Sequence, residues 1–229
     1  GTLAKDGALI KTIVSTNMAD KVAKEYNIQL IEVLTGFKYI GEQIKLFELN
    51  NSGTYEFGFE ESYGCLVGTH ARDKDAIVAV MALCEAAAYY RTKGYTLWDQ
   101  MQNIYEKYGY FREGLETMTL KGVEGAEKIK EMMENFRQNP PRQLGNDKVV
   151  SFRDYETDKV IHLDTNEVTK TGLPKSNVLY FELENDAWVC VRPSGTEPKI
   201  KFYIGVKGSS FKDANEKLKS LTEALMKLA

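Results

Sequence analysis

The sequence predicts two domains of different classes: a layered α/β domain with a mostly parallel sheet over residues 1–110, and a smaller α+β domain with an antiparallel sheet over residues 111–229. In the first part, short strand-like runs alternate with runs of helical spacing, which is typical of a parallel sheet. In the second part, several strand-like runs follow one another between two helices, which indicates an antiparallel sheet. The length of 229 residues allows one large or two small domains.

The elements of the first domain follow from periodicity and from helix caps. Asn17 is expected to cap the first helix, with Asp20 as its acidic partner. Apolar residues at helical spacing define the second helix, and a turn cluster at residues 50–53 ends it. The predicted strands are residues 8–15, 28–34 and 55–60, and the predicted helices are residues 17–26, 37–49, 73–93 and 97–108.

The third of these helices contains the most apolar run of the chain, residues 76–90, which only Glu85 interrupts. This run is too short to cross a bilayer, and charged residues at 72–75 precede it directly. We therefore predict a helix that is buried on most sides, and no membrane partner.

The second domain is predicted to begin with a strand and a charged amphipathic helix, which the run Asn139-Pro140-Pro141 ends. A last helix is expected from about Phe211, after a Gly-Ser-Ser turn. The first strand and helix are residues 111–120 and 123–137, and the later strands are residues 148–154, 159–163, 177–183, 188–192 and 199–206.

The composition excludes several classes of protein. A net charge of −3 shows no basic excess, so we expect no nucleic-acid partner. The chain has three cysteines, an odd number with no Cys-x-x-Cys pair, which argues against a disulfide framework and a zinc site. We expect a protein of a reducing compartment, the cytoplasm.

The strongest local motif is Arg-Pro-Ser-Gly-Thr-Glu-Pro at residues 192–198, between two predicted strands. Gly195 is expected to adopt a positive φ and curl successive N–H groups around an anion. Ser194 and Thr196 add hydroxyl donors, and Arg192 adds a guanidinium suited to bidentate phosphate binding. The alternative interpretation is an ordinary polar hairpin loop.

A second motif, Glu-Glu-Ser-Tyr-Gly at residues 60–64, ends a predicted strand. Glu60 and Ser62 could bind vicinal sugar hydroxyls at the edge of the sheet where α/β folds bind ligands; a solvated turn is the alternative. In the run at residues 70–75, Arg72 and Lys74 are candidates for phosphate binding or proton transfer, whereas the aspartates could simply cap a helix.

A weaker motif, residues 35–38, follows the second predicted strand. Gly36 would free the N-terminus of a helix, which favours anions, with Thr35 and Lys38 beside it.

Taken in order, the segments TGFKYIG, GFEESYG, HARDKD and RPSGTEPK resemble the α-D-phosphohexomutases, over what would be the third and fourth of that family's four domains. The resemblance implies that Glu60 and Ser62 contact sugar hydroxyls, and that residues 35–38 read the orientation of the sugar. It also implies that Lys74 lies near the transferred proton. The implied phosphate loop consists of Arg192, Ser194, Gly195 and Thr196.

By the same resemblance, a phosphoserine on domain 1 and a Mg²⁺ loop on domain 2 complete the enzyme, with glucose 1,6-bisphosphate as intermediate and a hexose phosphate as substrate. The sequence has no run that matches either loop, so this chain alone is predicted to be inactive and to hold no metal ligands. Tyr63-Gly64 stands where some relatives have Gly-His, so one histidine contact is missing. The alternatives are a stand-alone sugar-phosphate-binding module, or a mutase for mannose or glucosamine phosphate.

Overall fold

The computed structural model describes residues 3–195 and 197–229. The chain forms two compact units, Gly1–Gly109 and Tyr110–Ala229. The second unit is slightly longer than the first, so the expectation of a smaller second domain was wrong. The predicted bounds, residues 1–110 and 111–229, already made the second domain the longer one, so the description as smaller did not follow from them.

The first unit has a four-stranded sheet in the order β2-β1-β3-β4. β1 is parallel to β2 and β3, whereas β4 is antiparallel to β3, which confirms the mostly parallel sheet. The short strand β4 was not predicted, because three residues are too few to show a period. The elements are β1 Gly7–Thr12, α1 Met18–Glu25, β2 Gln29–Val33, α2 Phe37–Asn50, β3 Thr54–Phe59, β4 Cys65–Val67, α3 Ala76–Thr92 and α4 Leu97–Tyr108.

The core of the first unit lies between the sheet and α2. Ile40 and Ile44, one turn apart on α2, are fully buried, and so are Ala8 and Ile10 of β1. This packing fixes α2 against one face of the sheet, so that its N-terminus begins where β2 ends. The carboxyl ends of the three parallel strands open at one edge, and the loops that follow them can meet there.

Lys11 of β1 is fully buried, and its ammonium binds the side chains of Asn17 and Asp20, which were predicted to cap α1. Its Nζ lies 2.9 Å from Oδ1 of Asn17, 2.6 Å from Oδ2 of Asp20 and 3.5 Å from Oε1 of Glu32. The Asn17 side chain makes no capping hydrogen bond, so that prediction was wrong. A buried ammonium group without partners is far costlier than an open helix end, which explains why Lys11 takes these acceptors.

Helix α3 differs from the prediction of a helix buried on most sides. None of its residues is buried, and Ile77 is 75% exposed. Its neighbours within this unit are β4 and α4. A helix that is apolar on all sides shows no preferred face, so its sequence does not reveal which elements pack against it. Across residues 3–195 and 197–229, no helix combines the length and hydropathy needed to cross a membrane.

The second unit has an antiparallel sheet in the order β5-β12-β11-β10-β7-β8-β9, with β6 paired to β7. Residues of α5 and α6 join the apolar core on one face of this sheet, which confirms the α+β class. The elements are β5 Tyr110–Thr119, α5 Gly122–Gln138, β6 Gln143–Leu144, β7 Asp147–Asp154, β8 Lys159–His162, β9 Val168–Thr169, β10 Leu179–Leu183, β11 Trp188–Pro193, β12 Lys199–Gly208 and α6 Phe211–Met226.

The N-terminus of α6 is held by two reciprocal hydrogen bonds. The Ser210 hydroxyl accepts from the Asp213 N–H at 3.1 Å, and the Asp213 carboxylate accepts from the Ser209 N–H at 2.7 Å. The Ser209 N–H and the Lys217 ammonium, 3.1 Å away, hold the pKa of Asp213 below its ordinary value. Because this pKa is lower in the folded chain, Asp213 stabilises the fold above an unfolded-state pKa of about 3.9.

We predict that Asp213→Asn lowers the free energy of unfolding at neutral pH, and that the deficit relative to wild type shrinks as the pH falls below about 4. Protonation removes the same interactions from the wild-type chain in that range. Urea titrations at pH 7 and at about pH 3 measure the deficit, with Glu216→Gln on the exposed face of α6 as the control. A deficit that is constant with pH would contradict the prediction.

Candidate functional site

The candidate site of the first unit lies at the carboxyl edge of its sheet. β1, β2 and β3 all end there, since Thr12 of β1 pairs with Val33 of β2 and Lys11 pairs with Phe59 of β3. The loops that leave this edge carry the predicted residues Thr35, Gly36, Glu60 and Ser62, and Lys38 lies in the first turn of α2. The topology therefore explains why two motifs far apart in sequence belong to one edge.

Glu60 and Lys74 approach each other over Gly64. The β3–β4 turn closes where the Glu60 N–H donates to the Gly64 carbonyl at 2.8 Å. A Cβ atom at position 64 would lie 2.6 Å from Cδ of Lys74 and 2.8 Å from Oε1 of Glu60. A larger residue at this position would force the Lys74 or the Glu60 side chain to move. Glu60 is 9% exposed, whereas Ser62 is exposed at the tip of the turn.

Lys74 lies in a negative environment. Its ammonium donates to Oδ1 of Asp73 at 3.0 Å, and this hydrogen bond, together with the charges of Asp73 and Glu60, raises the pKa of Lys74. A raised pKa keeps the side chain protonated at neutral pH. The ammonium can therefore stabilise negative charge, whereas a raised pKa makes Lys74 poorly suited to act as a base and also weakens it as a proton donor.

Glu61 connects the turn to the end of β1, a contact that the sequence did not reveal. The Thr12 hydroxyl donates to Oε2 of Glu61 at 2.9 Å and lies 2.9 Å from the Ser15 hydroxyl. Thr12 and Ser15 are both buried. This contact fixes the turn that carries Glu60 and Ser62 against the edge of the sheet.

The loop at residues 35–38 leads from β2 into α2. Gly36 is the N-cap, with a φ of 112°, a conformation that favours glycine. No side chain caps this end of the helix. The Lys38 side chain is exposed, and its ammonium lies 4.7 Å from the centre of the Tyr39 ring. The positive end of the helix and Lys38 both favour an anion.

Arg72, a predicted substrate contact, lies in the loop between β4 and α3 and binds Glu48 of α2. Its Nη2 donates to both carboxylate oxygens of Glu48, at 2.5 and 2.6 Å. Its Nη1 donates to the carbonyls of Thr69 and Ala71, at 2.7 and 3.1 Å. Most of the guanidinium donors are therefore engaged within the protein.

In the second unit, the candidate phosphate loop joins β11 to β12. The Ser194 N–H donates to the Lys199 carbonyl at 2.7 Å, and the Glu197 N–H donates to the Ser194 hydroxyl at 3.3 Å. These two N–H groups are thus used inside the loop and do not converge on a ligand. Thr196 lies outside the described residues.

The expected positive φ of Gly195 was wrong, because its φ lies outside the left-handed region. The hydrogen bonds of Ser194 and Glu197 close the loop without that conformation. Around a Cβ built at position 195, no atom of the described residues other than the chain neighbours lies within 4 Å, so the space beside Gly195 is open on that side.

Lys201 is a candidate residue that sequence reasoning missed. It lies directly opposite Arg192 across β11 and β12, so both side chains are on one face of the sheet. Neither cation has a hydrogen-bond or ion-pair partner within residues 3–195 and 197–229. Like charges directly opposite each other are destabilising, and an anion between them would remove that cost. Once the register of β11 with β12 is known, the alternation of side chains along β12 shows that Lys201 and Arg192 lie on the same face of the sheet.

The described part of the chain contains no group of three or more His, Cys, Asp or Glu side chains that could hold a metal ion.

Comparison with known proteins identifies the family. Residues 1–108 match the model of the phosphoglucomutase/phosphomannomutase alpha/beta/alpha domain III, and residues 147–218 match that of the phosphoglucomutase/phosphomannomutase C-terminal domain. A phosphoglucomutase of Staphylococcus aureus strain MSSA476 is 38% identical over 213 residues, and one of strain USA300 is equally similar. The alignment covers 93% of this chain and 38% of either relative, so the chain spans well under half of their length.

Solved structures show the same fold. Parafusin from Paramecium, a phosphoglucomutase in an open form, superimposes with a TM-score of 0.65 at 20% identity, over 96% of this chain and 36% of that one. A phosphoglucomutase/phosphomannomutase family protein from Burkholderia thailandensis gives 0.55 at 13% identity, over 96% and 37%. The chain belongs to the phosphoglucomutase/phosphomannomutase family and comprises its domain III and its C-terminal domain.

Proposed function

We propose that this chain is the substrate-holding part of a phosphoglucomutase, which interconverts hexose 1-phosphate and hexose 6-phosphate through a bisphosphate. The observation that carries the proposal is the match to domain III and the C-terminal domain together, in a chain 38% identical to named phosphoglucomutases. A sugar that must bind in two orientations needs hydroxyl contacts and a phosphate anchor. The first unit, Gly1–Gly109, supplies the hydroxyl contacts, and the second unit, Tyr110–Ala229, supplies the phosphate anchor.

In the first unit, Glu60 and Ser62 bind sugar hydroxyls at the sheet edge. The Lys74 ammonium, beside Glu60, donates the proton or stabilises negative charge on the reacting oxygen. Its raised pKa argues against the base role and favours charge stabilisation by the ammonium. Thr35, Gly36 and Lys38 read the orientation of the sugar from the N-terminus of α2.

In the second unit, Arg192 is the anchor of the phosphate loop, with Ser194, Gly195 and Thr196. Its guanidinium can donate two parallel hydrogen bonds to phosphate oxygens. The facing cation Lys201 adds charge, which supports this anchor more strongly than the curled backbone that the sequence suggested.

In this proposal, the reacting phosphoserine and the ligands of the Mg²⁺ ion lie outside these 229 residues. Glucose 1,6-bisphosphate is the intermediate of the reaction. A coupled mutase assay on the complete protein tests the function and its substrate. We expect glucose 1-phosphate to give the highest kcat/KM among glucose, mannose and glucosamine 1-phosphates. A higher value for mannose or glucosamine phosphate would change the assigned sugar, and no turnover of any would refute the function.

We predict that Glu60→Gln in the complete protein lowers kcat/KM for glucose 1-phosphate about tenfold or more. A hydrogen bond to a charged group contributes roughly 1.5–3 kcal/mol, and the amide loses that charge. Glu106→Gln, on the exposed face of α4, is the control. Thermal unfolding of the variants shows whether they fold, and unchanged kcat/KM in a folded Glu60→Gln protein would argue against this role.

A further inference from the structure

The loop between β4 and α3, residues 68–75, carries Lys74, and its contacts to α2 suggest how Lys74 is held in place. We propose that Glu48 of α2 is a positioning residue for Lys74, which it holds beside Glu60 by binding Arg72. This inference deepens the proposed function, because it rests on the role of Lys74 in the reaction.

The first observation is the fork between Arg72 and Glu48. The two Nη2 contacts, at 2.5 and 2.6 Å, join residues 24 positions apart in sequence. The same guanidinium donates hydrogen bonds to the carbonyls of Thr69 and Ala71 in its own loop. One side chain thus organises the loop and ties it to α2, and a planar guanidinium is well suited to both tasks.

The second observation is the close approach of the loop backbone to Gly41 of α2. A Cβ atom at position 41 would lie 2.3 Å from the Arg72 carbonyl oxygen. Any larger residue would push the loop away, since the clash is with backbone. The Glu48–Arg72 pair therefore holds a loop that lies directly on α2.

The far end of the loop is fixed separately. The Asp75 N–H donates to the Cys65 carbonyl at 3.0 Å, and Oδ1 of Asp75 caps α3 by accepting from the Ile77 and Val78 N–H groups at 2.9 and 3.2 Å. His70 Nε2 lies 3.0 Å from Oδ2 of the same carboxylate. Lys74 lies between these two attachments, so the loss of either one would loosen it.

The pair should affect the loop far more than the fold. The side chains of Arg72 and Glu48 are 45% and 50% exposed, and exposed ion pairs contribute little to global stability. If Glu48 positions Lys74, its substitution should loosen the loop at residues 68–75 and lower turnover only while Lys74 is present. If Glu48 only stabilises the fold, neither effect is expected.

Amide hydrogen exchange of the 229-residue chain tests the anchoring itself. We expect Glu48→Gln to raise exchange at residues 68–75 about tenfold while the exchange of α2 and β1 is unchanged. Glu42→Gln is the matched control, because Glu42 is exposed on the same helix and has no hydrogen-bond partner within the described residues. Equal exchange in the Glu48→Gln and Glu42→Gln variants would overturn the proposal.

A double-mutant cycle in the complete protein tests the connection to Lys74. We expect Glu48→Gln to lower kcat on the order of tenfold with little change in KM, and to have no further effect in a Lys74→Ala background. An equal loss of kcat in both backgrounds would overturn action through Lys74. If Lys74→Ala alone leaves kcat unchanged, the proposed role of Lys74 fails, while the exchange result still decides whether Glu48 anchors the loop.

Discussion

The 229-residue chain, purified alone, is expected to give no detectable turnover of glucose 1-phosphate, even with Mg²⁺ and glucose 1,6-bisphosphate present. Phosphoryl transfer depends on positioning the reacting groups and on neutralising the charge that develops in the transition state. The metal ion does much of this neutralisation. The described residues offer no cluster that could hold a metal. The sequence also lacks the phosphoserine run that its resemblance to the mutases implies elsewhere.

A coupled assay that detects glucose 6-phosphate measures this, with the complete protein as the positive control under identical conditions. A background rate from this chain would support its assignment as the substrate-holding part. Robust turnover would contradict it and would require a nucleophile and a metal site within these residues.

The largest effect on binding is expected from Arg192→Ala, which should weaken the binding of glucose phosphates and of inorganic phosphate alike, on the order of a hundredfold. Each charge-assisted hydrogen bond contributes roughly 1.5–3 kcal/mol, and the guanidinium can make two. The substitution also leaves Lys201 as the single cation of the pair across β11 and β12. Arg192→Lys keeps the charge but loses the fork, so its affinity should be intermediate.

Titration calorimetry on the chain gives these affinities, with Arg112→Ala as the control. Arg112 lies on β5 of the same unit and donates to Asn215 of α6 at 3.1 Å. Equal phosphate affinity in the Arg192→Ala and wild-type chains would place the anchor elsewhere, with the N-terminus of α2 and Lys38 as the next candidates.

The sequence predicted the class of each unit because strands and helices leave different periods. Strands such as β12 and helices such as α5 begin and end within a few residues of their predicted bounds. The placement of the first unit's candidate residues at one edge was predictable for a related reason: in a parallel sheet, the residues that follow each strand come to one edge.

What the sequence could not show depends on contacts between distant residues. Asn17 reads as a helix cap until Lys11 is known to be buried beside it. The sequence does not show that Arg72, a predicted ligand contact, binds Glu48 of α2. Lys201 shows no motif of its own and becomes relevant only through its register with Arg192. The exposure of α3 likewise depends on which elements pack against it, and composition carries no such information.

The central claim is that these residues hold a phosphorylated sugar, and calorimetric titration of the wild-type chain with glucose 1-phosphate, glucose 6-phosphate and glucose tests it most directly. The account predicts that both phosphates bind at one site with similar affinity, that inorganic phosphate competes with them, and that glucose binds far more weakly. Binding of neither phosphate to a folded chain, or equal binding of glucose, would contradict the account.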